Sequence, residues 1–326
     1  MANQATTTAA RFGVFVPQGW TMDLVDVKGS IEKYETMTAC AREAEQAGYD
    51  SIWLYDHFHT VPTPVSEPVF ECWTSMAALA RDTSTVRLGQ MVTCNSYRPP
   101  ALLAKMASCV DVLSHGRLIV GMGAGWYQHE YDGFGYEYGE MRDRLSSLAE
   151  SLQVLKAMWT EDRCTFDGDH FRLRGAINEP KPVQKPHPPL WIGGNGERVT
   201  LRLVARYGDA CNVGGDLPTR RRCLDVLRRH CEAVGRDYDS IVKSTNVTVI
   251  LGDDAEVDRV VRQRLRQTGG IEYWERTPTC GPAEQVADEL RQLIDAGFDY
   301  LVIGVPNAAE GGAIQRVAEE LLPLLR

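Results

Sequence analysis

Residues 280–304, CGPAEQVADELRQLIDAGFDYLVIG, contain one complete unit of the pattern that decides the fold. Pro282 stands near the start of a segment with helical periodicity and Gly297 follows its end, and these are preferred positions of proline and glycine around a helix. The apolar run 301–304 comes directly afterwards, as expected of a strand that is buried on both faces. This stretch therefore predicts a helix that leads into a parallel strand of a buried sheet.

The same alternation of short apolar runs and helical patterns continues along the chain. Eight runs are predicted as strands: 12–16, 51–55, 86–93, 118–121, 190–192, 210–213, 244–251 and 301–304. Most are continuously apolar, which is typical of parallel strands covered by helices. Eight such units predict an α/β fold, a closed (β/α)8 TIM barrel rather than an open doubly wound sheet.

Two segments interrupt this alternation, residues 164–189 and residues 269–279. The charges and prolines of the first suggest a small hairpin and a surface loop. We interpret both as insertions in a single barrel domain, residues 11–326. Residues 1–10 are interpreted as a short disordered lead-in, because they lack the cationic start and apolar core of a secretory signal.

Composition excludes several classes of partner. The net charge of -9 gives no basic surface for nucleic acid or anionic membrane, and no apolar run approaches the ~18 residues of a membrane span. The nine cysteines are an odd number and form no C-x-x-C pair, which is typical of reduced thiols in the cytoplasm. We therefore expect a soluble cytoplasmic protein that acts on a small molecule.

The residues that follow each predicted strand are the informative ones, because barrel chemistry lies at the carboxyl ends of strands. After the second strand comes YDHFH, with Asp56, His57 and His59. A metal site here would need further ligands, yet of the other histidines only His129 follows a strand end, so no metal site is predicted. Asp56 and His57 form a polar pair at the barrel mouth, with His57 exchanging a proton near neutral pH. The alternative is a capping aspartate and two loop histidines.

Glycine-rich turns follow the fourth and fifth strands. Gly121, Gly123 and Gly125 form a lone G-x-G-x-G that does not open into a helix, so it does not indicate a dinucleotide fold. These glycines instead favour a planar ligand lying against bare backbone. The aromatic residues that could wall its pocket are Trp126, Tyr127 and Tyr131; the alternative is packing within the loop.

After the fifth strand, Gly193, Gly194 and Gly196 precede a helix predicted to begin at Glu197 and Arg198. Free amides, the helix dipole and the arginine would together form an anion seat, although a plain tight turn is the alternative. Two glycine-rich strand ends in one barrel favour a phosphorylated planar cofactor.

The order of these segments resembles the luciferase-like monooxygenase superfamily and, within it, the branch that uses coenzyme F420. The resemblance extends over nearly the whole chain from about Arg11. It is carried by SIWLYDHF, RLGQMVTCNSYRPPALLAKMASCVDVLSHGRLIVGMGAGWYQHEY, PPLWIGGNGERVTLRLVARYGDACN and TCGPAEQVADELRQLIDAGFDYLVIG. It implies a TIM barrel of the bacterial luciferase-like type with insertions, a deazaflavin ring in its mouth, and a homodimer as in many relatives.

The resemblance also implies roles for individual residues. His57 is the expected catalytic residue, and a non-proline cis peptide is expected at Met91-Val92. The implied cofactor-binding residues are Asp56, Met91, Val92, Thr93, Gly123, Ala124, Gly125, Trp126, Ile192, Gly193, Gly194, Asn195, Gly196 and Arg198. The expected substrate pocket is formed by Trp20, Val61, Phe70 and Trp126.

Two departures from the dehydrogenases of this branch favour a particular direction of reaction. Where those enzymes place a tryptophan and a glutamate, this chain has Val61 and Trp126. We therefore expect a reductase that passes hydride from reduced F420 to a small, fairly hydrophobic acceptor with a C=C or C=N bond, with His57 supplying the proton.

Two other functions stay open. One is an FMN-dependent luciferase-like monooxygenase, although such relatives more often have glutamate-histidine-histidine where this chain has Asp56, His57 and Phe58. The other is a non-catalytic barrel that binds a flavin or lipid without turnover. The presence of Asp56, His57 and both glycine turns argues against it.

Overall fold

Eight parallel strands close into a barrel in the computed structural model, which describes residues 10–326. The strands of the chain are β1 (Arg11–Phe15), β2 (Ser51–Leu54), β3 (Arg87–Gln90), β4 (Thr93–Cys94), β5 (Leu118–Gly123), β6 (Cys164–Asp167), β7 (Arg172–Ala176), β8 (Leu190–Gly193), β9 (Ala210–Asn212), β10 (Val242–Leu251), β11 (Pro278–Gly281) and β12 (Tyr300–Gly304). The barrel order is β1-β2-β3-β5-β8-β9-β10-β12, and β12 pairs with β1 to close the ring. The predicted (β/α)8 barrel is therefore confirmed.

Helices connect the strands and cover the barrel. They are α1 (Ser30–Gln46), α2 (Cys72–Asp82), α3 (Pro100–Leu113), α4 (Gln128–Phe134), α5 (Met141–Thr160), α6 (Thr200–Tyr207), α7 (Leu217–Val234), α8 (Asp254–Gln267), α9 (Ala283–Asp295), α10 (Ala313–Glu320) and α11 (Leu322–Leu325). Within residues 10–326, no helix is both long and apolar enough to cross a membrane.

The core has two layers because successive side chains of a strand point to opposite faces. The larger layer lies between the strands and the helices, and the smaller one fills the barrel interior. Trp53 occupies that interior, with its ring centroid 4.8 Å from that of Trp191. Gly13 and Gly89 leave room for it, since a Cβ on either would stand 2.3 Å from a Trp53 ring atom. The barrel below the mouth is thus a packed core, and the open space lies above it.

Two secondary-structure elements at the barrel mouth differ from the prediction. The predicted third strand, 86–93, is divided: β3 ends at Gln90, the Met91-Val92 peptide is cis as the resemblance implied, and β4 then pairs with β5. The helix predicted to begin at Glu197 begins instead at Thr200, after a turn.

Two helices were not predicted. In α8 the buried residues are Val260, Gln263, Arg264 and Gln267, so a mostly polar face is buried and hydrophobic periodicity is missing. In α4, seven residues lie within a glycine-rich and aromatic stretch that was interpreted as a loop.

The two interrupting segments have different structures. Strands β6 and β7 form an antiparallel hairpin outside the barrel. The other segment runs into β11, which pairs with the far end of β10, and the Tyr55 hydroxyl at the barrel mouth donates a hydrogen bond to Glu275 of this segment. Of the predicted lead-in, only Ala10 lies within the described residues, and the division of the chain into lead-in and single domain stays a prediction.

Candidate functional site

A cavity of about 520 Å³ opens at the carboxyl ends of the barrel strands. Its wall combines residues that follow β2, β3, β5, β8, β9 and β10 with two residues of the 271–276 segment. The lining residues used below are Trp20, Tyr55, Asp56, His57, Met91, Val92, Cys94, Tyr97, Gly123, Ala124, Gly125, Trp126, Tyr127, Gly193, Gly194, Asn195, Gly196, Glu275 and Arg276. Such a concave site with few convergent polar groups is the usual form of a small-molecule site.

His57 is held in this wall by a buried carboxylate on α4. The Nδ1 of His57 lies 2.9 Å from Oε2 of Glu130. The other carboxylate oxygen, Oε1, accepts hydrogen bonds from the amides of Phe58 at 2.6 Å and His59 at 2.9 Å, and the Tyr97 hydroxyl donates to Oε2 at 2.7 Å. Glu130 therefore fixes both the imidazole and the turn that carries it.

The charge state of this acid follows from its partners. Burial opposes ionisation of Glu130, but the hydrogen bond and charge of His57, the His59 amide and the Tyr97 hydroxyl together hold the pKa of the carboxyl below its ordinary value. An ionised Glu130 accepts the Nδ1 proton of His57. The other ring nitrogen, Nε2, is then left for a ligand.

Aromatic rings fix the plane of this imidazole. The Trp20 ring stacks on His57 with centroids 4.2 Å apart and planes 6° apart. Trp126 and Tyr127 meet the same imidazole edge-on, at 5.7 Å and 5.9 Å. Stacking sets the orientation of the imidazole, and the carboxylate sets its tautomer. His57 is therefore suited to transfer a proton at Nε2, the ring nitrogen that does not contact Glu130.

Asp56 has a different environment from its neighbour. Its carboxylate accepts two hydrogen bonds from Arg98, at 2.7 Å and 2.9 Å, and one from the Cys94 amide at 2.9 Å. Arg98 also contacts Glu71. Burial lowers the pKa of Arg98, but the nearby Asp56 carboxylate has the larger effect, so the pKa of Arg98 is raised above its ordinary value. Asp56 lies on the cavity wall, yet its oxygens are occupied by the protein.

At the glycines near the end of β5, protein atoms already occupy the space where a Cβ would stand. A Cβ on Gly123 would stand 2.5 Å from Cγ2 of Val92, and one on Gly125 would stand 2.0 Å from the Tyr131 hydroxyl. Gly125 also has a φ of 80°. The interpretation that these glycines leave bare backbone for a ligand needs correction, because Val92 and Tyr131 fill the space beside them.

The turn after β8 is more open. Gly194 and Gly196 are exposed, and the nearest atoms to a Cβ added at either glycine belong to Thr200 at the start of α6. Asn195 anchors the turn through two hydrogen bonds to the backbone of Gly214, at 3.0 Å and 2.9 Å. Within residues 10–326, the amides of Gly196 and Glu197 donate no hydrogen bond. This turn offers free donors at the cavity rim.

Comparison with known proteins identifies the family. Residues 10–269 match the sequence model described as luciferase-like monooxygenase. This chain belongs to the luciferase-like monooxygenase family.

Two similar sequences and one solved structure are named as F420-dependent dehydrogenases. An F420-dependent glucose-6-phosphate dehydrogenase of Kineococcus radiotolerans is 28% identical over 318 residues, which cover 88% of this chain and 91% of the relative. An F420-dependent hydroxymycolic acid dehydrogenase of Mycobacterium tuberculosis is 28% identical over 273 residues, or 80% of this chain and 74% of the relative. An F420-dependent secondary alcohol dehydrogenase has the same fold, with a TM-score of 0.80, 20% identity and coverage of 98% and 100% of the two chains.

The site of this luciferase-like chain fits a planar, phosphorylated cofactor. Two buried donors on the cavity wall, Nε1 of Trp20 and Nε of Arg276, have no hydrogen-bond partner within residues 10–326. The open Gly194–Gly196 turn adds free amides close to Arg276, since Asn195 is hydrogen-bonded to Gly214, against which the Arg276 side chain lies. A ligand with hydrogen-bond acceptors facing these groups would satisfy them.

Several predicted site residues lie away from the cavity wall. Thr93 is buried behind it and accepts a hydrogen bond from Trp73 at 3.2 Å. Ile192 points into the layer between strands and helices, because its neighbours in β8 take the opposite face. Arg198 is exposed and does not line the cavity, since α6 begins three residues later than predicted. These three residues do not line the cavity, and their roles in cofactor binding stay predictions.

Two residues of the predicted substrate pocket also do not line the cavity. Val61 is buried and its amide donates to the Trp20 carbonyl at 2.9 Å, so it supports the wall from behind. Phe70 packs edge-on against Tyr34 at 5.0 Å, outside the cavity. Trp20 and Trp126 do line the cavity, and their roles towards a substrate stay predictions.

The H-x-H pair is also resolved by the structure. His59 faces His129, with their Nδ1 atoms 2.9 Å apart, while the Nδ1 of His57 contacts Glu130. The two histidines after β2 therefore point to different partners. Within residues 10–326, no group of three or more histidine, cysteine, aspartate or glutamate residues is arranged to hold a metal ion.

The main residues that sequence reasoning missed are Glu130, Glu275 and Arg276. Glu130 stands four residues beyond Trp126 on an unpredicted helix, so its approach to His57 is a tertiary contact across 73 residues. Glu275 and Arg276 belong to a segment interpreted as an insertion. The only sequence signal for Glu130 was the charged residue itself, within an aromatic stretch.

Proposed function

We propose that this chain is a coenzyme F420-dependent oxidoreductase that acts as a reductase on a small, fairly hydrophobic acceptor with a C=C or C=N bond. One observation carries the proposal: His57 is fixed on the wall of the cavity, with Nδ1 on Glu130 and Nε2 left for a ligand. The names of the relatives, F420-dependent dehydrogenases at 28% identity, support the choice of cofactor.

The cavity residues have separable tasks in this proposal. Reduced F420, when bound, supplies the hydride. Trp20 offers a donor to its ring or substrate end, and the Gly194–Gly196 turn, which lies next to Arg276, offers amides to its phosphate tail. Met91, Val92, Gly123, Ala124 and Gly125 form the apolar floor between them.

His57 supplies the proton that accompanies reduction. In its imidazolium form Nε2–H donates to the acceptor atom that does not receive hydride, and the neutral ring is then reprotonated from solvent. The ionised carboxylate of Glu130 stabilises the imidazolium through Nδ1 before transfer. The aromatic wall of Trp20, Trp126 and Tyr127 suits a flat, apolar acceptor.

A second candidate, a dehydrogenase that oxidises an alcohol, is favoured by Glu130. Sequence reasoning argued against this direction because Trp126 stands where dehydrogenases of the branch have a glutamate. Glu130 nevertheless places an acid on the imidazole, and neutral His57 held by a carboxylate can accept a hydroxyl proton at Nε2. The side chain of Val61, by contrast, supplies no catalytic group to the cavity.

The cofactor assignment is tested by titrating the purified protein with F420 and, separately, with FMN, and following fluorescence. We expect saturable F420 binding. Tight FMN binding without any response to F420 would contradict the proposal and favour a monooxygenase. Binding of either cofactor without turnover of any acceptor or alcohol would support a non-catalytic barrel.

The direction is tested by two assays on the same preparation. Oxidation of reduced F420 is followed with activated enones and cyclic imines, and reduction of F420 is followed with secondary alcohols and sugar phosphates. A reductase gives turnover in the first assay and little in the second. Turnover with alcohols alone would establish the dehydrogenase.

We also propose that the chain acts in the cytoplasm as a homodimer, without a nucleic-acid or membrane partner. All nine cysteines are free thiols, which fits a reducing compartment. Light scattering after size exclusion tests the assembly, and a monomeric mass at micromolar concentration would contradict it.

A further inference from the structure

A second cavity, of about 300 Å³, lies beside the main one, between α7, the end of β10, β11 and α9. Arg276 lines both cavities, whereas Arg220 on α7 lines only the second. The other polar residues that line this cavity are Thr248, Thr277, Thr279, Glu289 and Gln292. The concentration of hydrogen-bond donors in this small volume requires an explanation.

Both guanidinium groups are only partly satisfied. The Nε atoms of Arg220 and Arg276 are buried and have no hydrogen-bond partner within residues 10–326. Nη2 of Arg220 donates to the Asn246 carbonyl at 3.0 Å, and Nη1 of Arg276 donates to the Glu275 carbonyl at 2.6 Å. Carbonyl oxygens accept these hydrogen bonds but do not neutralise the charges of the two half-buried guanidinium groups, with which an anion would form charge-assisted hydrogen bonds.

The surrounding acids leave a deficit of negative charge. Glu275 approaches Arg276 with one carboxylate oxygen at 3.7 Å, while its other oxygen accepts the Tyr55 hydroxyl. Glu289 lines the cavity but is exposed. No ion pair of Arg220 is found in the described part of the chain, residues 10–326. Among the described residues, Glu275 thus pairs with Arg276 alone, and Arg220 has no carboxylate partner.

The electrostatic environment of Arg220 also favours a bound anion. Burial lowers the pKa of Arg220, and the charge of Arg276 lowers it further. Asp216, which caps the start of α7, opposes this only weakly from its exposed position. An anion placed between the two guanidinium groups would relieve both unfavourable effects. Arg98 shows the alternative arrangement, since it forms a bidentate pair with Asp56.

We propose that Arg220 and Arg276, with the hydroxyls of Thr248, Thr277 and Thr279, form a binding site for an oxyanion of the phosphate or carboxylate class. Guanidinium groups match the geometry of these anions with paired N–H donors, and hydroxyls add further donors. The cavity is many times larger than the ~10–15 Å³ that one water requires, so it admits the oxyanion together with the group that carries it.

Gly214 contributes to the shape of this site. The Arg276 side chain lies against it, and a Cβ on Gly214 would stand 3.3 Å from Nη2 of Arg276. Asn195 of the open turn is hydrogen-bonded to the same glycine. The oxyanion site therefore adjoins the main cavity through one loop, and an anionic group could reach it from a ligand in that cavity or from solution.

Isothermal titration of inorganic phosphate tests the site without any cofactor. We expect saturable binding to the wild-type chain and affinity reduced by about tenfold or more in Arg220→Gln and in Arg276→Gln, since each change removes charge-assisted hydrogen bonds. Thr279→Val, which changes one hydroxyl to a methyl, should give a smaller loss. Arg229→Gln removes an exposed charge from the same helix and serves as the matched control.

The source of the oxyanion is distinguished by titrating F420 into the same variants. If F420 affinity falls with the phosphate affinity and saturating F420 displaces phosphate, the site takes the acidic tail of the cofactor. If F420 affinity is unchanged, the site takes a separate oxyanion, on a substrate or a free ligand. Both results support the site.

Other results would overturn the proposal. Phosphate affinity that is unchanged in both arginine variants, or equally reduced in Arg229→Gln, would show that binding is unspecific attraction. Thermal unfolding of each variant checks that it is folded, and Thr279→Val keeps the test decisive if an arginine variant unfolds. Because phosphate is titrated alone, a chain that fails to bind F420 would contradict the proposed function and leave this site to be judged separately.

Discussion

The two walls of the main cavity are built in opposite ways. On the wall that follows β2, β4 and β5, the acids Asp56 and Glu130 are buried and every carboxylate oxygen has a protein partner. On the wall that follows β8 and includes the 271–276 segment, the amide of Gly196 and Nε of Arg276 have no partner within residues 10–326. The acids of the first wall are thus fully paired within the protein, whereas the second wall offers unpaired donors to a ligand.

The glycines of the two walls show the same difference. A Cβ on Gly121 would stand 1.9 Å from the carbonyl oxygen of Gln90, so backbone already occupies that space. The nearest atoms to a Cβ on Gly194 or Gly196 belong to Thr200. Similar glycine-rich sequences after neighbouring strands therefore have different causes: close packing of the chain on one wall, and an open cradle on the other.

Replacing His57 tests the chemical role of the first wall and should have the largest effect. We expect His57→Ala to lower turnover by about 10²–10⁴-fold, the usual contribution of a general acid or base, with little change in F420 affinity. His59→Ala, which changes the exposed partner of His129, is the matched control and should keep most activity. Equal losses of turnover and cofactor affinity in His57→Ala would mean that His57 only binds the cofactor.

Replacing Gly121 with alanine tests whether packing explains the glycines of β5, the strand that leads into this wall. A methyl group directed at the Gln90 carbonyl should lower the free energy of unfolding by about 3 kcal/mol or more, because backbone cannot move aside as a side chain can. Gly304→Ala, at the end of β12, is the control, since its Cβ would make its nearest contact at 3.5 Å. Urea unfolding of both variants gives the comparison. Similar stability of the two would show that the first wall is not rigidly packed.

The fold could be predicted because its information is local. Short apolar runs separated by helical patterns define eight strands, and all eight lie in the barrel. Helix α8 was missed because the face that it buries is polar: Arg264 donates to the Thr21 carbonyl and Gln267 donates to Asp26. Hydrogen bonds of this kind stabilise a helix without producing hydrophobic periodicity.

The site could be predicted only in part, and the limits have two causes. Position along a strand end placed Asp56, His57, Gly123 and the Gly194–Gly196 turn on the cavity wall. Arg198 was misplaced because the boundary of α6 is three residues later than expected, and helix boundaries depend on capping geometry. Glu130 was missed because its function arises from a tertiary contact, which no spacing in the sequence records.

Replacing Glu130 with glutamine tests whether the charge of this acid, on the first wall, sets the tautomer of His57. An amide can still accept the hydrogen bonds of the Phe58 and His59 amides through its oxygen, but its NH₂ group then faces Nδ1 and favours the wrong tautomer. We expect turnover to fall by about tenfold, with less change in the KM for the acceptor, because a charge-assisted hydrogen bond is lost. Tyr97→Phe removes one donor from the same carboxylate and keeps its charge. A loss as large in Tyr97→Phe would indicate a packing effect instead.

The smallest predicted effect is the pH dependence of stability that Glu130 contributes. Its folded-state pKa lies below the ordinary value of 4.5, so its ionised form stabilises the folded chain above that pH. As the pH falls through the folded-state pKa the carboxyl is protonated in both states and this contribution disappears. The difference in free energy of unfolding between the wild type and Glu130→Gln should thus be constant near neutral pH and shrink below about pH 4.5, since glutamine does not titrate. Urea unfolding at a series of pH values measures it. A difference that stays constant down to pH 3 would show that Glu130 acts through packing alone, and that the first wall owes its rigidity to shape rather than to charge.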